Sequence, residues 1–103
     1  MRPIVLASLD KTRPALVLTR EISRPQMARI SVALITSSIR GLSVEVPVGA
    51  RNGLDHDCVV NLDNILTIEA HRIGRQVGWF FDDQEAALTT AIANAFDLYG
   101  DFA

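Results

Sequence analysis

Three groups of polar side chains interrupt or flank apolar segments that otherwise have the composition of strands in a sheet. Guanidinium, hydroxyl, amide and carboxylate groups of this kind can bind a phosphate group and stabilise charge that develops on it. The three groups are Arg13 in TRPALVLTR, then Thr36, Ser37, Ser38 and Arg40 in ITSSIRG, and finally Asn61, Asp63 and Asn64 in DCVVNLDNILTI.

Each group also has a purely structural explanation. An arginine before a strand usually ends in solvent, and hydroxyl side chains at strand ends usually stabilise turns. A carboxylate and two amides within a buried strand are costly unless something pairs with them. The segment around Asp63 therefore predicts either an Asx turn or a site.

Taken together, the three groups suit cleavage of a ribose–phosphate chain without a bound metal. The sequence contains no Gly-x-Ser-x-Gly motif, no phosphate-binding glycine loop and no Cys/His cluster at metal-ligand spacing. In RNA the 2′-OH of the substrate is itself the nucleophile. The protein need only help its proton leave, stabilise charge on phosphorus, and protonate or stabilise the departing oxygen.

Size and composition predict one compact domain, residues 1–103. The hydrophobic content of 49% and the charged content of 21% are ordinary for a folded soluble protein. No apolar run has the length of a membrane span. The N-terminal segment reaches Asp10 and Lys11 before a signal-peptide core could form. We therefore expect a cytoplasmic protein with no membrane association.

The net charge of −2 is unevenly distributed. Residues 1–75 hold all ten basic residues, nine of them arginine, whereas residues 76–103 hold five acidic residues and no basic one. This asymmetry is compatible with a polyanionic partner, although genome composition alone also explains a preference for arginine. The single Cys58 is predicted to be a small buried hydrophobe, and His56 and His71 are predicted to lie in loops or at strand edges.

Hydrophobic alternation and turn signals predict a series of short strands. Pro14 is expected at a strand start, where no N–H is needed, and Asn52-Gly53 is a strong turn signal. Residues 20–27 are expected to form a polar loop. The predicted strands are 3–9, 14–19, 29–38, 42–48, a segment 58–68 that is one strand or two joined by a kink near Asp63, and 72–80.

The C-terminal part predicts one amphipathic helix. Asp82 or Asp83 is expected to cap it, with Glu85 making the reciprocal contact of a capping box. Gly100 is expected to end it, and Trp79 and Phe80 are expected to pack in the core rather than at an interface. The residues at helical spacing are Leu88, Ile92, Ala95, Phe96 and Tyr99.

One helix after several strands predicts a mainly β fold, in which a small, strongly bent antiparallel sheet or open barrel is closed on one side by the helix. A barrel this small cannot enclose a ligand. Any site must lie on its surface, in loops or between subunits.

The order RPALVLTR, VALITSSIRG and DCVVNLDNILTI, followed by a C-terminal helix, resembles the MazF/PemK family of toxin endoribonucleases. These are the ribosome-independent mRNA interferases of bacterial type II toxin–antitoxin modules. The resemblance implies a small SH3-like β-barrel that forms a homodimer with an RNA groove at its interface. It also implies cleavage of single-stranded RNA at short sequences, which leaves a 2′,3′-cyclic phosphate and a 5′-OH, without a cofactor.

The resemblance assigns roles to individual residues. Arg13 matches the family's catalytic arginine, and Thr36 matches the Thr/Ser at the end of the central strand. Asp63 matches an aspartate that some members use, and it is expected to orient Arg13 or to act as the base. No metal ligand is expected. The residues expected to bind RNA are Lys11, Ser37, Ser38, Arg40, Asn61 and Asn64.

The resemblance also implies a cognate antitoxin whose C-terminal tail covers the RNA groove. Three alternatives stay open at this point. The protein could be a non-catalytic toxin of the same fold that binds DNA gyrase, or a catalytically inactive nucleic-acid-binding homologue. It could also be a structural dimer whose polar strand residues are all satisfied internally.

Overall fold

The computed structural model describes residues 1–100, apart from the side chains of residues 22 and 23, so the end of the predicted domain lies outside the described residues. Within this range no helix has both the length and the apolar character needed to cross a bilayer. The strands are β1 (Arg2–Ser8), β2 (Thr12–Val17), β3 (Arg29–Thr36), β4 (Glu45–Val48), β5 (Cys58–Glu69) and β6 (Ile73–Phe80), and the helix α1 spans Glu85–Ala95.

The six strands form one antiparallel sheet in the order β4-β5-β3-β2-β1-β6. Side chains alternate between its two faces. On one face Ile4 and Leu16 pack with Leu88 of α1. On the other face Val5 and Val32 belong to a cluster whose buried members all lie on strands, and each of them is at most 7% exposed. The first cluster has buried members on all six strands and on α1, so the sheet curls around this cluster, which confirms the predicted small barrel with a helix on one side.

Pro14 lies inside β2 and not at its start, where the sequence placed it. It stands opposite Leu6 of β1, whereas the pairing of β2 with β3 begins only at Ala15, opposite Leu34. Because proline has no N–H to donate, it is tolerated where one side of the strand is unpaired. Arg13, just before Pro14, consequently lies where β2 and β3 are not hydrogen-bonded to each other.

β5 is one continuous strand with a bulge in the region where a kink was predicted. Ile35 of β3 pairs with Val60, and Ala33 pairs with Ile65, so residues 61–64 of β5 stand opposite a single residue of β3. Extra residues of this kind bend a strand and change where its side chains point. The polar segment of β5 therefore projects from the ladder and is not buried in it.

The two free edges of the sheet, β4 and β6, are bridged by a short 3-10 helix, Ala50–Asn52. Asn52 is fully buried, and its side-chain amide donates to the carbonyl of Trp79 and to Oε1 of Gln84, each at 2.8 Å. The backbone of Gly78 passes so close to the Asn52 carbonyl that a Cβ there would collide with it. This contact requires glycine and closes the barrel.

The approach to α1 differs from the prediction, because neither aspartate caps the helix. Asp82 binds the N-terminal ammonium group and Asp83 binds Arg51. Instead, Oε1 of Gln84 accepts the backbone N–H of Phe81 at 2.9 Å. Gln84 can do this because its longer side chain folds back over the 3-10 turn Asp82–Gln84 that precedes the helix.

Glu85 does not make the predicted capping contact either. Its carboxylate accepts hydrogen bonds from Nε and Nη2 of Arg2, at 2.8 and 3.1 Å. Nη1 of the same arginine donates to the carbonyl of Leu18 at 2.7 Å. Arg2 thus joins the start of α1 to β1 and to the end of β2.

α1 ends at Ala95, well before its predicted end at Gly100. Asp97 adopts a left-handed conformation with φ +52°, and the N–H of Leu98 donates to the carbonyl of Ala93 at 2.8 Å. This is a Schellman motif, which an aspartate can support in place of glycine.

The early end of α1 changes the environment of two aromatic side chains. Phe96 is 58% exposed and Tyr99 is 91% exposed, so neither lies on a buried helix face as predicted. Phe80 is fully buried in the core, as predicted, whereas Trp79 beside it is 41% exposed.

The remaining differences concern connections. The predicted loop 20–27 contains a 3-10 helix, Glu21–Gln26. β3 ends at Thr36 and β4 begins at Glu45, so the connection 37–44 takes residues from the ends of both predicted strands. This connection lies beside the candidate site, and we call its residues 37–42 the site loop.

Candidate active site

One cavity of about 360 Å³ brings together most of the polar residues that the sequence singled out. It lies where β2 begins and β3 ends, beside the bulge of β5. The predicted site residues that line it are Arg13, Thr36, Ser38, Arg40, Asn61, Asp63 and Asn64.

The register of the strands explains why Arg13 and Thr36 reach the same cavity. Ala15 of β2 pairs with Leu34 of β3. Continuing this antiparallel register by two residues places Arg13 opposite Thr36, although Pro14 prevents a regular ladder there. Side chains at facing positions of neighbouring strands lie on the same face of a sheet. The two residues therefore point to the same end of the barrel.

Arg13 is held by a carboxylate that the sequence analysis did not single out. Its Nε and Nη2 donate to Oδ1 and Oδ2 of Asp10, both at 3.0 Å. The hydrogen bond from Arg13 lowers the pKa of Asp10 from 3.8 to about 2, and Asp10 raises the pKa of Arg13. The available signal was an acidic residue three positions before Arg-Pro, across a tight turn.

Asp63 was expected to orient Arg13 or to act as the base, and it makes no ion pair with Arg13 among the described residues. Asp63 is exposed on the β5 bulge, and the ion pair of Arg13 is with Asp10. Oδ1 of Asn61 accepts the backbone N–H of Asp63 at 2.9 Å, which is an Asx turn. The turn and the site are thus formed by the same segment, because Asn61, Asp63 and Asn64 all line the cavity.

The hydroxyl of Thr36 is oriented by its own turn. Oγ1 accepts the backbone N–H of Ser38 at 3.1 Å, which leaves the hydroxyl proton free to be donated to a ligand. Ser37 and Lys11 are exposed and do not line the cavity. These two predicted RNA-binding residues are therefore near the site in sequence but are not brought into it.

Glu45, the first residue of β4, also lines the cavity and was not predicted. Its carboxylate accepts the backbone N–H groups of Gly41 at 2.9 Å and of Leu42 and Arg40 at 3.2 Å. The sequence signal was an acidic residue within the otherwise apolar strand LSVEVPV.

The cavity is lined by charged side chains of both signs. Two guanidinium groups, those of Arg13 and Arg40, line it together with the carboxylates of Asp63 and Glu45. Three backbone N–H dipoles offset the charge of Glu45, and Arg40 forms no ion pair among the described residues. A phosphodiester entering the cavity would meet two arginines and the hydroxyls of Thr36 and Ser38.

The remaining reactive side chains lie outside this cavity. Cys58 is buried, and burial together with the nearby Asp57 and Asp55 raises the pKa of its thiol, so it behaves as the predicted small hydrophobe. His56 and His71 are exposed. Among residues 1–100 there is no group of three or more His, Cys, Asp or Glu side chains that could hold a metal ion.

The chain is similar in sequence to a family of bacterial toxins. The model of the PemK-like, MazF-like toxins of type II toxin–antitoxin systems matches residues 3–96. The chain is 54% identical over 98 residues to Endoribonuclease MazF3 of Mycobacterium tuberculosis, which covers 95% of each chain.

Two solved structures have the same fold as this chain. The M. tuberculosis toxin MazF-mt6 is 52% identical and superimposes with a TM-score of 0.94 over 96% of this chain and 100% of that one. A mycobacterial endoribonuclease in complex with its cognate antitoxin has the same fold at 22% identity, with a TM-score of 0.85 over 96% of this chain and 95% of that one.

Proposed function

The chain belongs to the PemK-like, MazF-like toxins of type II toxin–antitoxin systems, and from this premise we propose that it is a sequence-specific endoribonuclease that inhibits translation and growth. Its substrate is single-stranded mRNA, and its products carry a 2′,3′-cyclic phosphate and a 5′-OH. The nucleophile is the 2′-OH of the substrate, and side chains supply the stabilisation of charge and the proton transfer, so the proposed reaction includes no metal ion.

The observation that supports this function most directly is the meeting of Arg13 and Thr36 in one cavity, at facing positions of β2 and β3. A guanidinium and a hydroxyl placed this way can donate hydrogen bonds to the same phosphate group. These two residues lie on different strands and come together through the sheet register, on either side of the unpaired position at Pro14.

In the proposed reaction the 2′-OH attacks the adjacent phosphorus while the bond to the 5′ oxygen breaks. Arg13 stabilises the negative charge that grows on the phosphoryl oxygens. Its Nε and Nη2 contact Asp10, so Nη1 is the nitrogen without a protein partner among the described residues. Thr36 donates its hydroxyl proton to a non-bridging oxygen. The departing 5′ oxygen takes up a proton from solvent water and leaves as the 5′-OH.

The proton of the 2′-OH requires an acceptor. Asp10 is a weak base, because its pKa of about 2 keeps it ionised and its oxygens are occupied by Arg13. Its role is to orient Arg13, which is the role first expected of Asp63. Glu45 also lines the cavity, but its carboxylate binds the backbone of the site loop. Asp63, exposed on the bulge, is therefore the carboxylate that we assign as the base.

The strand of RNA on either side of the scissile phosphate is bound by the polar residues around the cavity. Arg40 contacts a neighbouring phosphate, which fixes the position of the strand. Ser38, Asn61 and Asn64 offer hydroxyl and amide groups to base edges or sugars. Ser37 and Lys11 contact RNA only where it leaves the cavity, because both lie outside its lining.

We propose that the protein acts as a homodimer with this cavity at the subunit seam. Ile39 and Leu42 of the site loop are 53% and 48% exposed, so apolar surface continues from the site. A cognate antitoxin neutralises the dimer by laying its C-terminal tail along the groove. Acidic residues in that tail would pair with the guanidinium groups of Arg13 and Arg40.

A digest of a long single-stranded RNA by purified protein in excess EDTA tests this function. We expect discrete fragments whose 5′ ends are hydroxyls and whose 3′ ends are 2′,3′-cyclic phosphates. Sequencing of the 5′-OH ends then identifies the cleavage sequence. Intact RNA after incubation with folded protein contradicts the proposal, and inhibition of DNA gyrase by the same sample would favour the non-catalytic alternative.

A further inference from the structure

The site loop is supported by a single side chain. The carboxylate of Glu45 accepts three consecutive backbone N–H groups, from Arg40, Gly41 and Leu42. Consecutive N–H groups that point to one place form an anion-binding concavity. In this protein a side chain of the chain itself occupies that concavity. The backbone of the loop is therefore not the element that binds a phosphate.

The same residue connects the loop to the opposite wall of the cavity. Glu45 pairs with Asn61 at the start of the β5 bulge, and its own N–H donates back to the carbonyl of Leu42 at 3.1 Å. One residue later in the bulge, the N–H of Leu62 donates to the carbonyl of Val44 at 2.9 Å. The site loop and the bulge are thus held at a defined separation by β4.

We propose that Glu45 is a positioning residue for RNA selection: it holds the site loop so that Ser38 and Arg40 face the cavity. The inference rests on the proposed function. Glu45 acts through the loop and not on the RNA: its Oε1 accepts all three backbone N–H groups, and its Oε2 shares that of Arg40 at 3.3 Å. What it determines is where the Arg40 guanidinium and the Ser38 hydroxyl stand relative to Thr36 and Arg13.

Loss of this support should affect binding and selection more than the chemical step. Glu45→Ala releases the three amides to solvent and lets the loop move, while Thr36 stays on β3 and Arg13 stays on β2. A displacement of about 1 Å in a positioning group can cost about a hundredfold in rate. We expect kcat/KM to fall at least about tenfold, mainly through KM, and cleavage to spread to additional sequences.

The test compares Glu45→Ala, Glu45→Gln and a matched control, Glu69→Ala. Glu69 is also a carboxylate at a strand terminus, but its ion pair is with Arg72, at the far end of β5. Glu45→Gln keeps one carbonyl oxygen that can accept the loop amides, so it should restore part of the selectivity. The readouts are kcat and KM, the sequences at the 5′-OH ends, and amide hydrogen exchange of residues 40–42.

The expected result is faster exchange of these amides in Glu45→Ala, together with the rise in KM and the relaxed cleavage pattern, and neither change in Glu69→Ala. Faster exchange with wild-type KM and an unchanged cleavage pattern would overturn the positioning role, as would exchange that does not change.

Binding of a fully 2′-O-methylated strand, which lacks the nucleophile, separates this inference from the proposed function. If wild-type protein binds that strand but cuts no RNA, the proposed nuclease function is wrong. The positioning role of Glu45 is then still tested by whether Glu45→Ala binds the strand more weakly than wild type. Equal affinity of wild type and Glu45→Ala for the strand would reject the positioning role on its own.

Discussion

At the scale of single residues, the candidate site consists of side chains whose polar groups are already oriented by protein contacts. Two nitrogens of Arg13 are held by Asp10, and the hydroxyl of Thr36 is oriented by the N–H of Ser38. Groups held in this way lose little freedom when a phosphate binds, so more of their interaction energy can stabilise the transition state. The site therefore depends on a few residues and not on general basicity.

Arg13→Ala is expected to reduce RNA cleavage by more than a hundredfold, because one donor to the developing charge is typically worth about 3 kcal/mol of barrier. Initial rates on a defined oligonucleotide measure this effect. Arg51→Ala is the matched control, since Arg51 also pairs with one exposed aspartate, Asp83, but lies outside the cavity. A folded Arg13→Ala protein that cuts RNA at the wild-type rate would remove Arg13 from the mechanism.

The ion pair of Asp10 and Arg13 makes a prediction about titration. Because the folded-state pKa of Asp10 is about 2, below its ordinary value of 3.8, the pair favours the folded state above about pH 4. This contribution is lost as the pH falls towards 2. The carboxyl ¹³C resonance of Asp10 should titrate near pH 2 in wild type and at a higher pH in Arg13→Ala, where only the backbone hydrogen bonds still lower its pKa. The same midpoint in both proteins would show that Arg13 does not hold the carboxylate.

At the scale of elements, each polar segment of the site lies where a strand departs from regular pairing. β2 is unpaired on one side at Pro14, β5 bulges at residues 61–64, and β3 ends at Thr36. Irregular pairing frees side chains that a continuous ladder would bury or turn outward. The bent shape of the sheet and the location of its site thus have the same cause.

The start of α1 provides a test at this scale. Gln84→Ala removes the acceptor of the Phe81 N–H and a partner of the buried Asn52. We expect the free energy of unfolding, measured with urea, to fall by about 1–2 kcal/mol.

Asp83→Ala is the control for that variant, since Asp83 is one of the two aspartates that the sequence offered as a cap. Its exposed ion pair with Arg51 should contribute less than about 1 kcal/mol. A larger loss in Asp83→Ala than in Gln84→Ala would mean that the cap is the aspartate after all.

At the scale of the whole molecule, the open sheet is held in its curled form by contacts between distant segments. The 3-10 helix after β4 meets β6 through Asn52 and the backbone of Gly78, and Arg2 joins β1 to α1. Because the site lies at one end of the curl, anything that opens the sheet should also separate the walls of the cavity.

Gly78→Ala should therefore destabilise the protein, because the new Cβ collides with the carbonyl of Asn52. Overpacking of this kind typically costs about 1–3 kcal/mol, which thermal or urea unfolding will measure. Gly41→Ala is the control, since it has positive φ but open space around it and should cost only about 1 kcal/mol of backbone strain. Equal stability of wild type and Gly78→Ala would mean that this contact does not close the barrel.

The sequence by itself determined the order of the strands, with residues 58–68 left as one strand or two, the presence of one C-terminal helix, the mainly β barrel, and most of the polar residues that line the candidate site. It could do so because alternation and turn signals depend on neighbours along the chain, and because RPALVLTR, VALITSSIRG and DCVVNLDNILTI resemble a known family.

Only the tertiary structure decided which groups become partners. Asp10 and not Asp63 holds Arg13. Gln84 and not an aspartate accepts the N–H of Phe81 ahead of the 3-10 turn that leads into α1. Glu45 supports the site loop. Several acceptors of similar chemistry compete for each donor along the chain. The choice among them depends on distances in space, which exist only after turns, register and the β5 bulge have been set.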